Sequence, residues 1–179
     1  MCVKKTTRYT ERDHNQRVVF LQNLRTAIQK YGKENIVYFD ESGFEENVVR
    51  LHGWAKRGKR IYGDISGGRR QRTNLIMAQR CKEWLAPMVF EFSCNANVVY
   101  EWLEKMLLPE LSEPSVIVMD NASFHKKDVI HELLEQHGHT LLPLPPYSPD
   151  FNPIEESFAV LKKRRLSTQP PQKVEQLLL

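Results

Sequence analysis

Two short apolar runs constrain the fold of this chain more than anything else in it. Ile36-Val37-Tyr38-Phe39 and Val116-Ile117-Val118-Met119 are too short for helices, are rich in β-branched residues and lack polar alternation. Such runs read as central strands covered on both faces. Each is closed by an aspartate, Asp40 and Asp120. A carboxylate at the end of a buried strand sits at the rim of the sheet. There it is solvated, hydrogen-bonded or a ligand, because an unpartnered buried charge is costly. A third acid, Glu155, follows a stretch from Pro143 to Pro153 that holds five prolines. Prolines remove backbone donors and fix φ, so this stretch is a rigid extended loop that positions Glu155. Hard divalent cations such as Mg²⁺ take oxygen ligands and are usually held by one or two carboxylates plus a substrate phosphate. Asp40, Asp120 and Glu155 are therefore the candidate catalytic and metal-binding set.

The remaining elements follow from periodicity and punctuation. Glu11 to Tyr31 reads as an amphipathic helix with Val18, Leu21, Leu24 and Ile28 facing the core and Gly32 as its stop. The first strand, Ile36 to Glu41, ends at Ser42-Gly43. A glycine-rich irregular stretch comes next, and long loops in compact domains are usually functional. Strands over Thr73–Arg80 and Trp84–Phe92 flank a tight turn at Cys81-Lys82-Glu83. A helix from Ala96 to Leu108 stops near Pro109. The fourth strand, Val116 to Asp120, precedes a helix over Lys126–Gln136, a fifth strand over His139–Pro143, and a last helix with Asn152 as N-cap and Pro153 in its first turn. Strands first, then alternating strand and helix, give an α/β fold: a mixed five-stranded sheet with helices on both faces.

Glu155 and Glu156 compete for the third acidic position. Ile154, Phe158 and Leu161 recur at i, i+4 and i+7 and define the core-facing stripe of the last helix. Glu155 flanks that stripe and Glu156 points away from it, so Glu155 is the better candidate. Lys162 lies on the same side, within reach of a phosphate.

The net charge is +4, but it is unevenly spread. Lys56, Arg57, Lys59, Arg60, Arg69, Arg70 and Arg72 face the single acid Asp64 in that stretch. Concentrated positive charge points to a polyanionic partner, with a solvated loop as the plainer reading. A second basic cluster, Lys162-Lys163-Arg164-Arg165, is read as a further contact for that polyanion. Cys2, Cys81 and Cys94 match no metal-ligand or disulfide pattern. No apolar stretch is long enough to span a bilayer, and a soluble cytosolic protein is expected. Gly53-Trp54-Ala55-Lys56-Arg57-Gly58-Lys59-Arg60 fails the phosphate-loop pattern at its last position, where Arg60 replaces the hydroxyl that binds Mg²⁺. His131-Glu132-Leu133-Leu134-Glu135 lacks the second histidine of a zinc-protease helix.

The words Phe39-Asp40-Glu41-Ser42-Gly43, Met119-Asp120-Asn121-Ala122-Ser123-Phe124-His125 and Pro145-Pro146-Tyr147-Ser148-Pro149-Asp150-Phe151-Asn152-Pro153-Ile154-Glu155 together resemble the catalytic domain of bacterial insertion-sequence transposases related to the mariner superfamily. The resemblance runs from about Lys4 to about Arg165. It implies a ribonuclease-H-like fold of the retroviral-integrase superfamily and an Asp-Asp-Glu site at Asp40, Asp120 and Glu155. It further implies two Mg²⁺ or Mn²⁺ ions, with Asp40 bridging both, serving hydrolysis at transposon ends and strand transfer into target DNA. Asn121 either orients phosphate or water or simply forms a turn, and His125 either contacts substrate or a carboxylate or caps a helix. The basic loop falls where related enzymes clamp a partner subunit or DNA. The expected organisation is a linker and helix over 1–34, a catalytic domain over 35–168 and a tail over 169–179. Family members carry DNA-reading modules ahead of this domain. Few residues precede the first strand here, so a separately encoded half, a truncated copy or an incomplete piece is expected, acting as a homodimer or with that half at the bacterial nucleoid. A stand-alone nuclease of the same fold and an inactive fragment that only binds DNA or a partner are the alternatives.

Overall fold

Asp13 begins the first helix, accepting from the backbone N–H of Asn15 at 2.8 Å and of Gln16 at 3.2 Å, and Gly32 ends it at φ +86°. The computed structural model describes residues 9–45, 54–60, 62, 72–120, 127–167 and 172–178. Within them lie α1 (His14–Tyr31), β1 (Ile36–Glu45), β2 (Arg72–Arg80), β3 (Glu83–Phe90), α2 (Ala96–Trp102), α3 (Leu108–Glu110), β4 (Val116–Met119), α4 (Lys127–Gln136), β5 (Thr140–Pro143), α5 (Ile154–Ser167) and α6 (Val174–Leu177). A π-helical turn, Leu103–Leu107, joins α2 to α3, so this helical segment continues through Pro109 rather than stopping before it. A 3-10 turn, Pro149–Phe151, precedes α5.

The sheet order is β3-β2-β1-β4-β5. β1 pairs antiparallel with β2, and β2 with β3, whereas β4 and β5 run parallel to β1. β1 is longer than its apolar run predicts. Its ladder with β2 continues through Ser42↔Leu75 to Glu45↔Arg72, because β2 supplies backbone partners well past the point where β4 has ended. Residue parity then sorts the two faces. Val37, Phe39, Ile76, Ala78, Ile117 and Met119 pack beneath α2, the π turn and α4, with Phe39 against Trp102 at 5.3 Å between ring centroids. On the other face Ile36, Val116 and Val118 meet Phe20 of α1, while Phe44, Leu75 and Met77 meet Ile154, Phe158 and Leu161 of α5. Fully burying one such side chain is worth about 1.5–3 kcal/mol, so both layers are held mainly by apolar contact.

Two expectations change. The core-facing stripe of α1 is Phe20, Leu24, Ala27 and Tyr31, whereas Val18, Leu21 and Ile28 are exposed. The helix carries two apolar stripes, and the one bearing an aromatic wins because Phe20 stacks on Phe151 at 5.5 Å. The chain after Ser167 also returns to the body: Val174 and Leu177 of α6 are buried against the α5 side of the sheet.

Arg165 is what fastens that return. It is only 6 % exposed; its Nε donates to the Gln172 carbonyl at 3.1 Å and its Nη1 to the Glu45 carbonyl. It is thus a structural clamp and not part of a DNA-facing cluster. Arg165→Gln is expected to lower unfolding stability by about 1–3 kcal/mol, the cost of stranding buried carbonyls. Lys163→Gln and Arg164→Gln should stay within about 0.5 kcal/mol, as surface changes do. Urea titrations of the three variants check this, and equal midpoints for all three would refute the clamp.

Candidate active site

The register of the two central parallel strands builds the site. Ile36 lies opposite Val116 and Tyr38 opposite Val118, where the ladder ends, and Asp40 and Asp120 each follow two residues further along their own chain segments. Both have the parity of Tyr38 and Val118, so both side chains belong to the face that carries α1 and α5. Asp120 does lie just past the end of its strand. Asp40 does not: it sits inside β1, paired with Met77, at the point where the partner on its other side has run out. The rim on which the two acids meet is therefore a step in the sheet.

Asp40 is held from two directions. Its Oδ1 accepts from the Glu41 backbone N–H at 2.8 Å and its Oδ2 from Asn152 Nδ2 at 3.1 Å. Asn152 comes from the proline-rich loop, which is fixed to α1 by paired hydrogen bonds from Arg17 to Asp150 at 2.7 and 2.9 Å. The same guanidinium lies 3.8 Å from the centre of the Phe151 ring. Asn152 does not use its side chain as the expected helix cap. The helix starts at Ile154, and only the Asn152 carbonyl serves it, accepting from Glu155 N–H at 3.2 Å. One residue thus connects Asp40 to the first turn of α5, where Glu155 stands.

Asp40, Asp120 and Glu155 line one open cavity of about 450 Å³, together with Glu41, Asn152 and the lip formed by Tyr9 and Tyr147. Glu156 is exposed and does not line it. Tyr147 adopts φ +54°, a left-handed conformation that aromatic residues rarely take, and its ring meets that of Tyr9 at 5.7 Å. Burial, and then the like charges of Glu41, Asp120 and Glu155, push the Asp40 carboxyl up to about 8 despite the opposing hydrogen bond from Glu41 N–H. The acids are thus near enough to feel one another. Among the described residues, however, no three acidic, histidine or cysteine side chains close tightly enough to hold a metal ion between them.

Glu41 points to the opposite face, where Cys94 Sγ donates to its Oε1 at 3.6 Å. Burial first, and that neighbouring carboxylate second, hold the Cys94 thiol up at about 12, which makes it inert as a nucleophile. Of the basic residues singled out in the sequence, Arg72 lines a second cavity with Asp40, Asp120, Gly43, Asn74 and Ser93. Lys162 opens instead on a separate cavity beside Phe44, with its Nζ 5.6 Å from that ring. Lys56, Arg57, Lys59 and Arg60 are exposed, while Arg69, Arg70, Asn121 and His125 lie outside the described residues. Asn152 and Glu41 are the site residues that sequence reasoning missed. Asn152 was visible as a polar residue ahead of a proline, but that pattern also describes a cap.

A mixed five-stranded sheet whose parallel central strands bring carboxylates to a cavity beside α5 is the ribonuclease-H-like class of α/β fold. The chain belongs to the family described as the DDE superfamily endonucleases, whose profile matches residues 35–178. Among solved structures, the mariner Mos1 paired-end complex with Mg is similar at TM-score 0.72 and 18 % identity, over 90 % of this chain and 52 % of that one. The Mos1 strand transfer complex is similar at TM-score 0.67 and 18 % identity, over 89 % of this chain and 52 % of that one. The Mos1 catalytic domain with Raltegravir and Mg gives TM-score 0.61 and 16 % identity, over 96 % of this chain and 81 % of that one. At these identities the likeness establishes the fold, and the chain spans about half the length of the chains in the two complexes. No curated protein gives a significant sequence match.

The raised Asp40 pKa has a defined sign. Between the ordinary value of 3.8 and about 8 the folded chain keeps a proton that the unfolded chain has lost. Asp40 therefore makes folding less favourable as pH rises through that window. Urea unfolding in chelator should show stability declining from about pH 4 to about pH 8, with Asp40→Asn giving a shallower decline and a more stable protein at pH 8. Parallel profiles for parent and variant would contradict this environment for Asp40.

Proposed function

We propose that this chain is the catalytic portion of a DNA transposase, which hydrolyses phosphodiesters at transposon ends and transfers the freed strand into target DNA. The single observation that carries the reading is the one cavity that Asp40, Asp120 and Glu155 line together, near enough for the other two to raise the Asp40 pKa. Family membership and a fold shared with the Mos1 catalytic domain support it.

The donor set fits a hard divalent cation, since four acidic residues and no cysteine or histidine line the cavity. The fit is strengthened by Asn152 Oδ1, a buried acceptor with no donor among the described residues. Asp40, Asp120 and Glu155 would hold Mg²⁺ or Mn²⁺, as one ion or a pair. When bound, divalent ions supply activation of the attacking oxygen and stabilisation of the leaving one. The chain's own part is positional. Asp40 gives up its proton when the site is loaded, and the Asn152 amide and the Glu41 N–H fix the orientation of the carboxylate that results. Arg72, on the other flank of the same acids, neutralises a backbone phosphate so that the strand lies along the step. Tyr9 and Tyr147 bound the opposite lip. The partners in this reading are transposon-end and target DNA, with a second copy or a separately encoded DNA-reading half, at work in the bacterial nucleoid. No helix among the described residues is long and apolar enough to cross a membrane.

Two experiments test the reading. With pre-cleaved transposon-end DNA, plasmid and Mn²⁺, the parent should form joined products. Asp40→Asn, Asp120→Asn and Glu155→Gln should abolish joining while retaining DNA binding, and Glu156→Gln should remain active. Cutting without joining would identify a nuclease of the same fold instead. In a salt titration of duplex affinity, Arg72→Ala should flatten the log-log slope by about 0.9, the share of one phosphate contact. It should weaken a terminal repeat and a scrambled duplex alike. A preference of about a thousandfold for the terminal repeat would instead place sequence recognition within this chain.

A further inference from the structure

Asn152 combines features that packing alone does not explain. It is 4 % exposed, lines the cavity of the acids, and is held in place by a loop that two hydrogen bonds from Arg17 fix to α1. Its Nδ2 donates to Asp40 Oδ2, while its Oδ1 is buried and has no donor among the described residues. Leaving an acceptor buried and unpaired costs about 1–3 kcal/mol, so the arrangement needs a reason. Turning the amide over does not supply one for the working site. An ionised Asp40 only accepts, so the NH₂ must face it and Oδ1 is the atom left without a donor.

A water bound to a divalent cation is a strong, donor-only neighbour, and Mg²⁺ retains several such waters. We infer that Asn152 is a positioning residue of the metal site, whose Nδ2 orients the Asp40 carboxylate while its Oδ1 accepts a hydrogen bond from a water on the cation held there. Partners of this kind, one step removed from the metal, orient the ligand and typically change metal affinity 10–100-fold when removed. The inference rests on the reading of Asp40 and its neighbours as a divalent-cation site and adds the residue that tunes it. It also accounts for why the loop before Glu155 must be stiff: a displacement of Asn152 would move both its Asp40 contact and the start of α5.

The test uses the full chain and Mn²⁺ alone, with affinity read by calorimetry and by the electron spin resonance of free Mn²⁺, and unfolding measured separately in chelator. Asn152→Leu has similar volume and no polar atom. It should bind Mn²⁺ about 10–100-fold more weakly, yet unfold in chelator at or above the parent's temperature, because the unpaired acceptor is gone. Asn152→Ala, which removes both the donor to Asp40 and the unpaired acceptor, should also bind Mn²⁺ more weakly than the parent. In the joining assay, the Mn²⁺ concentration for half-maximal rate should rise for Asn152→Leu while the rate at saturating Mn²⁺ is largely kept. Asn152→Leu binding within about twofold of the parent, well under the effect expected of such a partner, would overturn the inference. So would a loss of affinity matched by a loss of stability in chelator, which is what a purely structural residue gives. If the leucine variant does not fold, Asn152→Ala decides alone: binding within about twofold of the parent refutes the role. A parent that binds no Mn²⁺ would remove the metal site itself, and the inference with it.

Discussion

The structure depends on one asymmetry in backbone pairing. β1 is paired with β2 from Val37 to Glu45, but its pairing with β4 ends at Tyr38. Up to that residue β1 is the middle of a sheet, covered by helices on both faces. Beyond it β1 is half an edge, and an edge is where polar side chains can be tolerated. Asp40 is the first residue on the α1 and α5 face after the change. Asp120 follows directly on the end of the parallel neighbour β4 and lines the same cavity. Burial first, and these like charges after it, make Asp40 hold its proton well above the ordinary carboxylate range.

What the sequence made legible follows from how local each signal is. The strand cores at 36–39 and 116–119 were readable because only a doubly covered strand is so uniformly apolar over so few residues. Glu155 was separable from Glu156 because Ile154, Phe158 and Leu161 mark a helix face, and all three are buried. The extension of β1 to Glu45 was not readable. Ser42 and Gly43 look like a turn until β2, some thirty residues away, supplies its ladder. The buried stripe of α1 was misread for a similar reason: the choice between two apolar stripes is made by Phe151, far along the chain. Arg165 and Asn152 show the same limit among polar residues. A basic residue in a basic run and an asparagine before a proline have common local readings, and only the tertiary partners, Glu45 and Asp40, show their actual use.

The proline-rich loop links these parts. Arg17, Phe20 and Phe151 pin it to α1, so a helix that precedes the sheet in the chain sets the position of residues at its end. Stiffness there is shared among several modest contacts. The Arg17–Asp150 pair is partly open to solvent and contributes little on its own; its effect comes from acting on a segment whose prolines already leave few alternatives.

Gly43 shows how such constraints reach beyond a single residue. A Cβ at this position would stand 2.0 Å from Arg72 Nε, because the arginine lies flat across the bare strand. Since the obstructing atoms belong to a flexible side chain, a larger residue at 43 would not break the fold. It would lift the guanidinium off the floor of the groove that it shares with Asp40 and Asp120. Positions 43 and 72 therefore form one unit of variation. A lineage that lost the glycine would gain nothing by keeping the arginine, and the two should be replaced together or not at all.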